Sequence, residues 1–290
     1  MTPPPWTDRS AGWRWGFGVL LFLSMAVGAF LNSALSVLAP FLRDDVGLSR
    51  AQLGGLATVI SLVAALGSPL AGTVVDSLGP RRMLVVGGGG VLASLVLLAS
   101  VSSFPWMLAA VTLTGAALAV GNPATNKLIA QHVPAGHQGL LMGIKQSGGQ
   151  LNWVLAGSIL PSVAVAAGWR WSLGIGMALA ATNIVVVRAV LPREAPVRRQ
   201  RPGADGSAPL GSLIAWMSAY AFLMASGTVA VNLYLPLFAH ESVGISERQA
   251  GLVAAGMAVV SIATRIVWSH RLERVSAPGI ALAVMAALSV

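Results

Sequence analysis

Two basic side chains, Lys145 and Arg265, lie inside long apolar stretches of this sequence. An ionised group is costly in apolar surroundings, so such a residue predicts a functional site unless a cheaper explanation exists. The alternative for both is that the long side chain extends to the nearest polar surface, since each lies within about two turns of the end of its stretch. No Asp or Glu lies within these stretches. The pattern therefore predicts a site that binds an anion.

Amide side chains accompany the two cations. Lys145, Gly149 and Asn152 follow the spacing i, i+4, i+7, which puts a charge, a small gap and an amide on one face of a predicted helix. For each asparagine near the cations, a hydrogen bond between neighbouring helices is the alternative interpretation. The predicted solute path consists of Asn32, Asn122, Asn126, Lys145, Gln146, Gln150, Asn152, Asn232, Tyr234 and Arg265.

The composition identifies the surroundings of this path. The chain has 290 residues, of which 56% are hydrophobic and 9% are charged, whereas soluble domains carry about 25% charged residues. So few ionic groups cannot cover a water-exposed surface. The apolar residues also come in blocks of about 20, the length that crosses a bilayer as a helix. We therefore predict an all-α membrane protein.

Several kinds of chemistry are excluded or disfavoured. The chain has no cysteine, which excludes disulfides, thiolate metal sites and a cysteine nucleophile. Its four histidines lie in or beside different predicted loops and show no metal-ligand spacing. We expect no enzymatic activity and no cofactor.

Eight complete membrane spans are predicted from the uncharged apolar runs. A ninth run, at residues 277–290, is shorter than the roughly 20 residues that a spanning helix needs. The first run is longer than the apolar core of a signal peptide, about 7–15 residues, so we expect it to be retained. The eight spans are Gly16–Leu38, Leu53–Val75, Met83–Val101, Trp106–Asn126, Gly139–Ala167, Trp171–Val187, Leu213–Ala239 and Ala250–Trp268.

The basic residues predict the orientation. With a cytoplasmic N-terminus, twelve of the 18 Lys and Arg residues fall in inner segments and four in outer segments. This bias follows the positive-inside rule and predicts a multi-pass protein of the cytoplasmic membrane with its N-terminus inside. The net charge of +9 then reflects topology and attraction to lipid headgroups rather than binding of nucleic acid.

A polar stretch at 192–211, rich in Pro, Gly and Arg, is predicted to be a cytoplasmic linker. It separates an N-terminal six-helix bundle at 1–191 from a partial second bundle at 212–290. The pattern G-[apolar]-S-x-x-Q-x-G occurs before the second span, at Gly47, and again before the eighth, at Gly244. This repeat predicts two halves related by duplication, and its offset predicts a full-length protein of about 390 residues, of which this chain is a truncated part.

A short motif follows the second span. The residues GTVVDSLGPRR at 72–82 resemble the G-x-x-x-D-[RK]-x-G-[RP]-[RK]-[RK] loop of the major facilitator superfamily of secondary transporters. Ser77 departs from that pattern, which has a basic residue there. Glycines permit a tight reversal and close helix approach, and an aspartate can sit at a helix N-terminus or pair with an arginine. The predicted gating loop consists of Gly72, Asp76, Gly79, Arg81 and Arg82.

Two further features resemble the same superfamily: the glycine-rich fifth span and the residues GWRW at 168–171. The resemblance implies the twelve-helix fold of that superfamily, with this chain as spans one to eight and part of nine. It also implies that spans one, four, five, seven and eight line a central cavity. In that family the loop holds the two halves together on the cytoplasmic side, which implies that Asp76 faces the eleventh helix.

The resemblance and the buried cations together predict a secondary active transporter that moves a small anionic solute by alternating access. The residues GIKQSG at 143–148 also resemble those of bacterial anion and organic-acid facilitators. We expect lipid and a small-molecule solute as partners, a monomeric full-length protein, and no nucleic acid; the coupling ion, proton or sodium, stays open. A multidrug or metabolite exporter and a non-transporting fragment are the alternatives.

Overall fold

A computed structural model of the chain describes residue 6, residues 9–192 and separate helical positions between residues 215 and 267. The predicted seventh and eighth spans therefore lie largely outside the described residues, and the domain boundaries stay predictions. Three predicted members of the solute path also lie outside them: Asn232, Tyr234 and Arg265.

Residues 9–192 form eight helices and no strand. Five of these helices are long and apolar enough to cross a membrane, and the bent pair α6–α7 supplies a sixth crossing. The prediction of an all-α membrane protein is confirmed. The helices are α1 (Ala11–Val37), α2 (Ala39–Val46), α3 (Arg50–Leu78), α4 (Pro80–Ser100), α5 (Phe104–His132), α6 (Ala135–Ser158), α7 (Leu160–Ala167) and α8 (Trp169–Val190).

The six spans predicted in the first 191 residues correspond to α1, α3, α4, α5, the pair α6–α7 and α8. Each helix begins a few residues before its apolar run, because the polar ends of a helix continue past the hydrocarbon region. The sequence does not predict α2, which is two turns long and carries Arg43, Asp44 and Asp45. Hydropathy finds long apolar runs and passes over short polar helices of this kind.

The turn between α2 and α3 explains part of the repeated pattern. Gly47 ends α2 in the left-handed conformation, at φ +74°, where glycine has no Cβ to clash. Ser49 then caps α3: its Oγ accepts from the Gln52 N–H, and the Gln52 side chain accepts from the Ser49 N–H. Gly, Ser and Gln at these spacings therefore form one helix stop and one helix start.

Helix α1 lies at the centre of the bundle, in contact with α4, α5, α6 and α8. In the most apolar 18-residue stretch of α1, 67% of the residues are buried. The corresponding value for α3, which packs mainly against α5, is 17%. Because α1 touches both α5 and α6, polar residues on these three helices can face a common region. The fold thus brings together the helices that carry most of the predicted solute path.

The two ends of the bundle carry separate side-chain clusters. We call the end that holds Gly79, His132 and Leu191 the motif end, and the end that holds Asp45, Ser102 and Trp169 the tryptophan end.

Aromatic packing fixes the start of α1 at the motif end. There Trp13 stacks on Phe17, with ring centroids 5.0 Å apart, and its Nε1 donates to the Val190 carbonyl at 3.1 Å. These contacts connect the start of α1 with the end of α8.

The fifth predicted span is two helices rather than one. The axis bends by 40° between α6 and α7. Pro161, in the first turn of α7, has no N–H to continue the helical hydrogen bonds. The Leu160 carbonyl also accepts from Ser172 Oγ of α8, at 3.0 Å, which connects α7 to α8. The predicted span at Gly139–Ala167 therefore comprises two helices, with the break at Ile159.

Candidate substrate path and loop motif

Lys145 lies inside the bundle rather than at its surface. Its relative exposure is 1%, and its Nζ donates a hydrogen bond to Oδ1 of Asn126 on α5. Helix α6 also lies close to α1, where Gly148, one turn along from Lys145, packs directly against the backbone of Phe22. The side chain therefore does not extend to a polar surface in this conformation.

The described part of the chain gives Lys145 no carboxylate partner. The carboxylates of Asp76 and Asp45 pair with other residues: Asp76 with Lys127 at the motif end, and Asp45 with Arg170 at the tryptophan end. The predicted spans contain no Asp or Glu either. An ammonium group bonded only to a neutral amide keeps much of its desolvation cost. A bound anion would offset that cost.

The other described members of the predicted path lie around Lys145 at different depths. Asn122 and Asn126 are exposed on one face of α5, one turn apart. Asn32 of α1 and Gln150 of α6 are half-buried, and Gln146 is exposed. The structure joins only Asn126 to Lys145 by a hydrogen bond among the residues it describes.

Asn152 lies two turns along α6 from Lys145 and is 0% exposed. Its Nδ2 donates to the carbonyl oxygen of Ala26 in α1. Its Oδ1 is buried and has no hydrogen-bond partner in the described part of the chain. One half of this amide therefore holds two helices together, while the other half is unsatisfied.

In the loop motif, Asp76 lies in the last turn of α3, not at a helix N-terminus. Its Oδ1 accepts a hydrogen bond from Lys127 Nζ at 2.8 Å, and the same Nζ reaches the Val75 carbonyl at 3.3 Å. Among the described residues, the partner of Asp76 is thus a lysine of α5 and not an arginine. Sequence reasoning treated Lys127 only as a topology signal, although its place beside Asn126 put it near the path.

The remaining loop residues have separate roles. Arg81 donates through Nε to the Leu191 carbonyl at 2.9 Å, which caps the end of α8, and Arg82 is exposed. Gly79 makes the reversal between α3 and α4 at φ +86°, as predicted. The predicted close helix approach at Gly72 is not found, because a Cβ there would meet no atom within 4 Å in the described structure.

We expect Asp76→Asn to change accessibility more than stability. The side chains of Asp76 and Lys127 are 74% and 20% exposed, so water screens their attraction and the pair contributes about 0.2–1 kcal/mol. If the loop closes the motif end as the resemblance implies, the resting state shifts toward opening there. Labelling of a cysteine at Ser36, near the tryptophan end of α1, should then slow in full-length protein.

The 290 residues contain no cysteine, so this labelling needs no other substitution within them. Lys127→Met removes the same ion pair from the other side and should slow labelling equally, with no further effect in the double variant. Unchanged labelling in both single variants would contradict a gating role for the pair.

The tryptophan end is held by a second polar network. Asp45 Oδ2 accepts from Trp169 Nε1 at 2.8 Å and from Arg170 Nη1 at 2.6 Å, and Arg170 Nη2 reaches Ser102 Oγ at 2.9 Å. The hydrogen bond from Trp169 has the largest effect on the pKa of Asp45 and that from Arg170 the next; both hold the pKa below its usual value. The GWRW residues thus position α8 against α2 and the α4–α5 turn, beside a cavity of about 490 Å³.

Comparison with known proteins identifies the family. The model of the Major Facilitator Superfamily matches residues 20–290. The chain is similar to the gallate transporter of Pseudomonas putida, with 29% identity over 213 residues, which cover 72% of this chain and 47% of that protein. It is also similar to the fosmidomycin resistance protein of Escherichia coli (strain K12), with 29% identity over 182 residues, 62% of this chain and 44% of that protein.

Among solved structures, the crystal structure of a D-xylose-proton symporter has a similar fold, with a TM-score of 0.58 at 13% identity over 87% of this chain and 67% of that one. The chain spans about half the length of the curated relatives named above. The family match covers nearly all of the sequence, and it confirms the predicted fold, the membrane setting and the assignment to a transporter family rather than to an enzyme family. The chain belongs to the Major Facilitator Superfamily.

Proposed function

We propose that the protein moves a small organic anion across the cytoplasmic membrane by alternating access, with Lys145 as the group that binds the anion. The observation that carries this proposal is a buried ammonium group whose only described hydrogen-bond partner is a neutral amide, Asn126. A membrane protein keeps such a charge at a considerable cost in free energy. An anionic solute offsets that cost while it is bound.

The hydrogen-bonding pattern of this pair supports a carboxylate in particular. Asn126 uses its carbonyl oxygen to accept from Lys145, so the groups still available are the NH2 of Asn126 and the remaining N–H groups of the ammonium. All of these are donors. A carboxylate only accepts hydrogen bonds, and it is therefore the complementary group.

The gallate transporter among the relatives supports the same class of solute, since gallate is a carboxylate. The predicted orientation with an inner N-terminus belongs to this proposal, as do secondary active coupling to a proton or sodium gradient and a monomeric full-length protein. Each rests on the sequence pattern and the family membership.

An exporter is the second candidate, because the fosmidomycin resistance protein is also a relative. An exporter of cationic compounds needs a carboxylate along the path; the predicted spans of this chain contain none, so that carboxylate would have to lie in the remaining helices of the full-length fold. This observation favours the anion over a cation as the solute.

The test is counterflow in proteoliposomes that contain the 290-residue chain and are preloaded with an unlabelled carboxylate. We expect entry of labelled carboxylates, and no entry of the matching amides or amines. Entry of amines instead would favour the cation exporter. No entry of any compound, with a full-length relative as the positive control, would favour the non-transporting fragment.

A further inference from the structure

The unsatisfied oxygen of Asn152 carries an inference that deepens the proposed function and rests on it. Asn152 is 0% exposed, and its Oδ1 has no partner in the described part of the chain. An acceptor buried in this way keeps its full desolvation penalty. Its Nδ2 is held by the Ala26 carbonyl, which fixes the side-chain amide with the oxygen as the available atom.

Asn126 of α5 and Asn152 of α6 form their hydrogen bonds with opposite groups of the side-chain amide. The oxygen of Asn126 accepts from Lys145, so its N–H groups remain available. The Nδ2 of Asn152 donates to Ala26, so its oxygen remains available. The Lys145 end of the path therefore offers donors and the Asn152 end offers an acceptor. A complementary solute accepts at one end and donates at the other.

The spacing sets the length of that solute. Lys145 and Asn152 are seven residues apart on α6, so they lie on nearly the same face and about 10.5 Å apart along the axis. That rise joins backbone positions; with both side chains perpendicular to the axis, two hydrogen bonds of about 2.8 Å each leave about 5 Å between the carboxylate and the donor. This is the span of an aromatic ring or of a chain of about four carbons.

The described structure leaves space beside α6 at Gly149. Gly149 lies between Lys145 and Asn152 on the same face, and a Cβ at this position would meet no atom within 4 Å in the described structure. The neighbouring Gly148, by contrast, packs against the carbonyl of Phe22. The glycine on the solute face therefore leaves room for the body of a small molecule, while the glycine beside it serves helix packing.

We propose that the solute is a hydroxy acid: its carboxylate binds Lys145 and Asn126, its body lies over Gly149, and its hydroxyl donates to Asn152 Oδ1. Because that oxygen is buried in this conformation, the site fills in a conformation that opens the path between α1, α5 and α6. Asn152 thereby sets specificity, while Lys145 supplies affinity for the charge.

The experiment is equilibrium binding to the 290-residue chain in detergent, with three labelled probes of equal charge: 4-hydroxyphenylacetate, phenylacetate and 4-methoxyphenylacetate. The wild-type chain should bind the hydroxy acid about tenfold more tightly than either of the others, because only the hydroxyl can donate. 4-Hydroxybutyrate and butyrate repeat the comparison without a ring. This preference in the wild-type chain tests the proposal without any variant.

In Asn152→Ala the ratio of the two affinities, hydroxy acid over phenylacetate, should fall to about one. Ser147→Ala is the matched control, since Ser147 is equally buried on α6 and its Oγ is bonded to the Gly143 carbonyl; its ratio should stay near the wild-type value.

Equal binding of all the acids by the wild-type chain would overturn this inference and leave the anion proposal standing. Binding of none of them would overturn the proposed function, and the inference with it.

Discussion

Lys145→Met is expected to weaken carboxylate binding by roughly 10- to 150-fold, the equivalent of about 1.5–3 kcal/mol for a hydrogen bond to a charged group. The same substitution should leave the thermal midpoint of unfolding unchanged or raise it, because it removes a buried ammonium that has no described carboxylate partner. Binding is measured as the carboxylate concentration at half saturation, and stability by a thermal melt in the same detergent.

The combination of these two results separates a binding role from a structural one. A residue that only holds the fold together would lower the melting temperature and weaken binding through partial unfolding. Ser147→Ala, two residues further along α6, is the control and should change neither quantity. Wild-type carboxylate binding by Lys145→Met would contradict the proposed function directly.

Gly148→Ala is expected to destabilise the bundle by about 1–3 kcal/mol or more through overpacking. A Cβ at this position would overlap the carbonyl oxygen of Phe22 and lie 2.9 Å from its carbonyl carbon. Backbone atoms of α1 cannot rotate away as a side chain can, so α1 and α6 must separate. The thermal midpoint measures the loss.

Gly149→Ala provides the matched stability control one residue away. A Cβ there meets open space, and alanine is the better helix former by about 0.5–1 kcal/mol. We therefore expect this variant to melt at the wild-type temperature or above it. Equal destabilisation by both substitutions would contradict the assignment of the close contact to Gly148 alone.

Hydropathy was sufficient to predict the six N-terminal crossings, because a bilayer requires long uncharged runs and few other structures contain them. The same method missed α2, whose eight residues include three charged ones. It also merged α6 and α7, since Pro161 interrupts the helix without adding any polarity. Length and composition thus predict crossings well and predict breaks within a crossing poorly.

The sequence predicts which residues belong to the candidate site, but not which of them form hydrogen bonds with one another. A cation in an apolar run marks Lys145 without any structure, and helical spacing puts Asn152 on its face. The partners, however, come from other helices: Asn126 for Lys145, and Ala26 for Asn152. Which residues meet depends on the rotation and depth of each helix, and these are set by packing between helices.

The pairing of Asp76 illustrates the same limit. An aspartate in such a loop can pair with an arginine, whereas the structure supplies Lys127 from α5. A single sequence contains no information on the register between α3 and α5, which glycine contacts such as that of Gly115 with the Ile60 carbonyl determine.

The attachment of α6 to α1 has a mechanical consequence. Gly148 packs against Phe22, and Asn152 bonds to Ala26, so the two helices are joined at two points one turn apart. Steric repulsion rises steeply at short distance, so we expect α1 and α6 to move together as one rigid unit. Helices α5 and α6 touch far less than α1 and α6 do, so we expect their border to open more readily. The Lys145–Asn126 hydrogen bond crosses that border, so a joint tilt of α1 and α6 stretches the bond beside which an incoming carboxylate would bind.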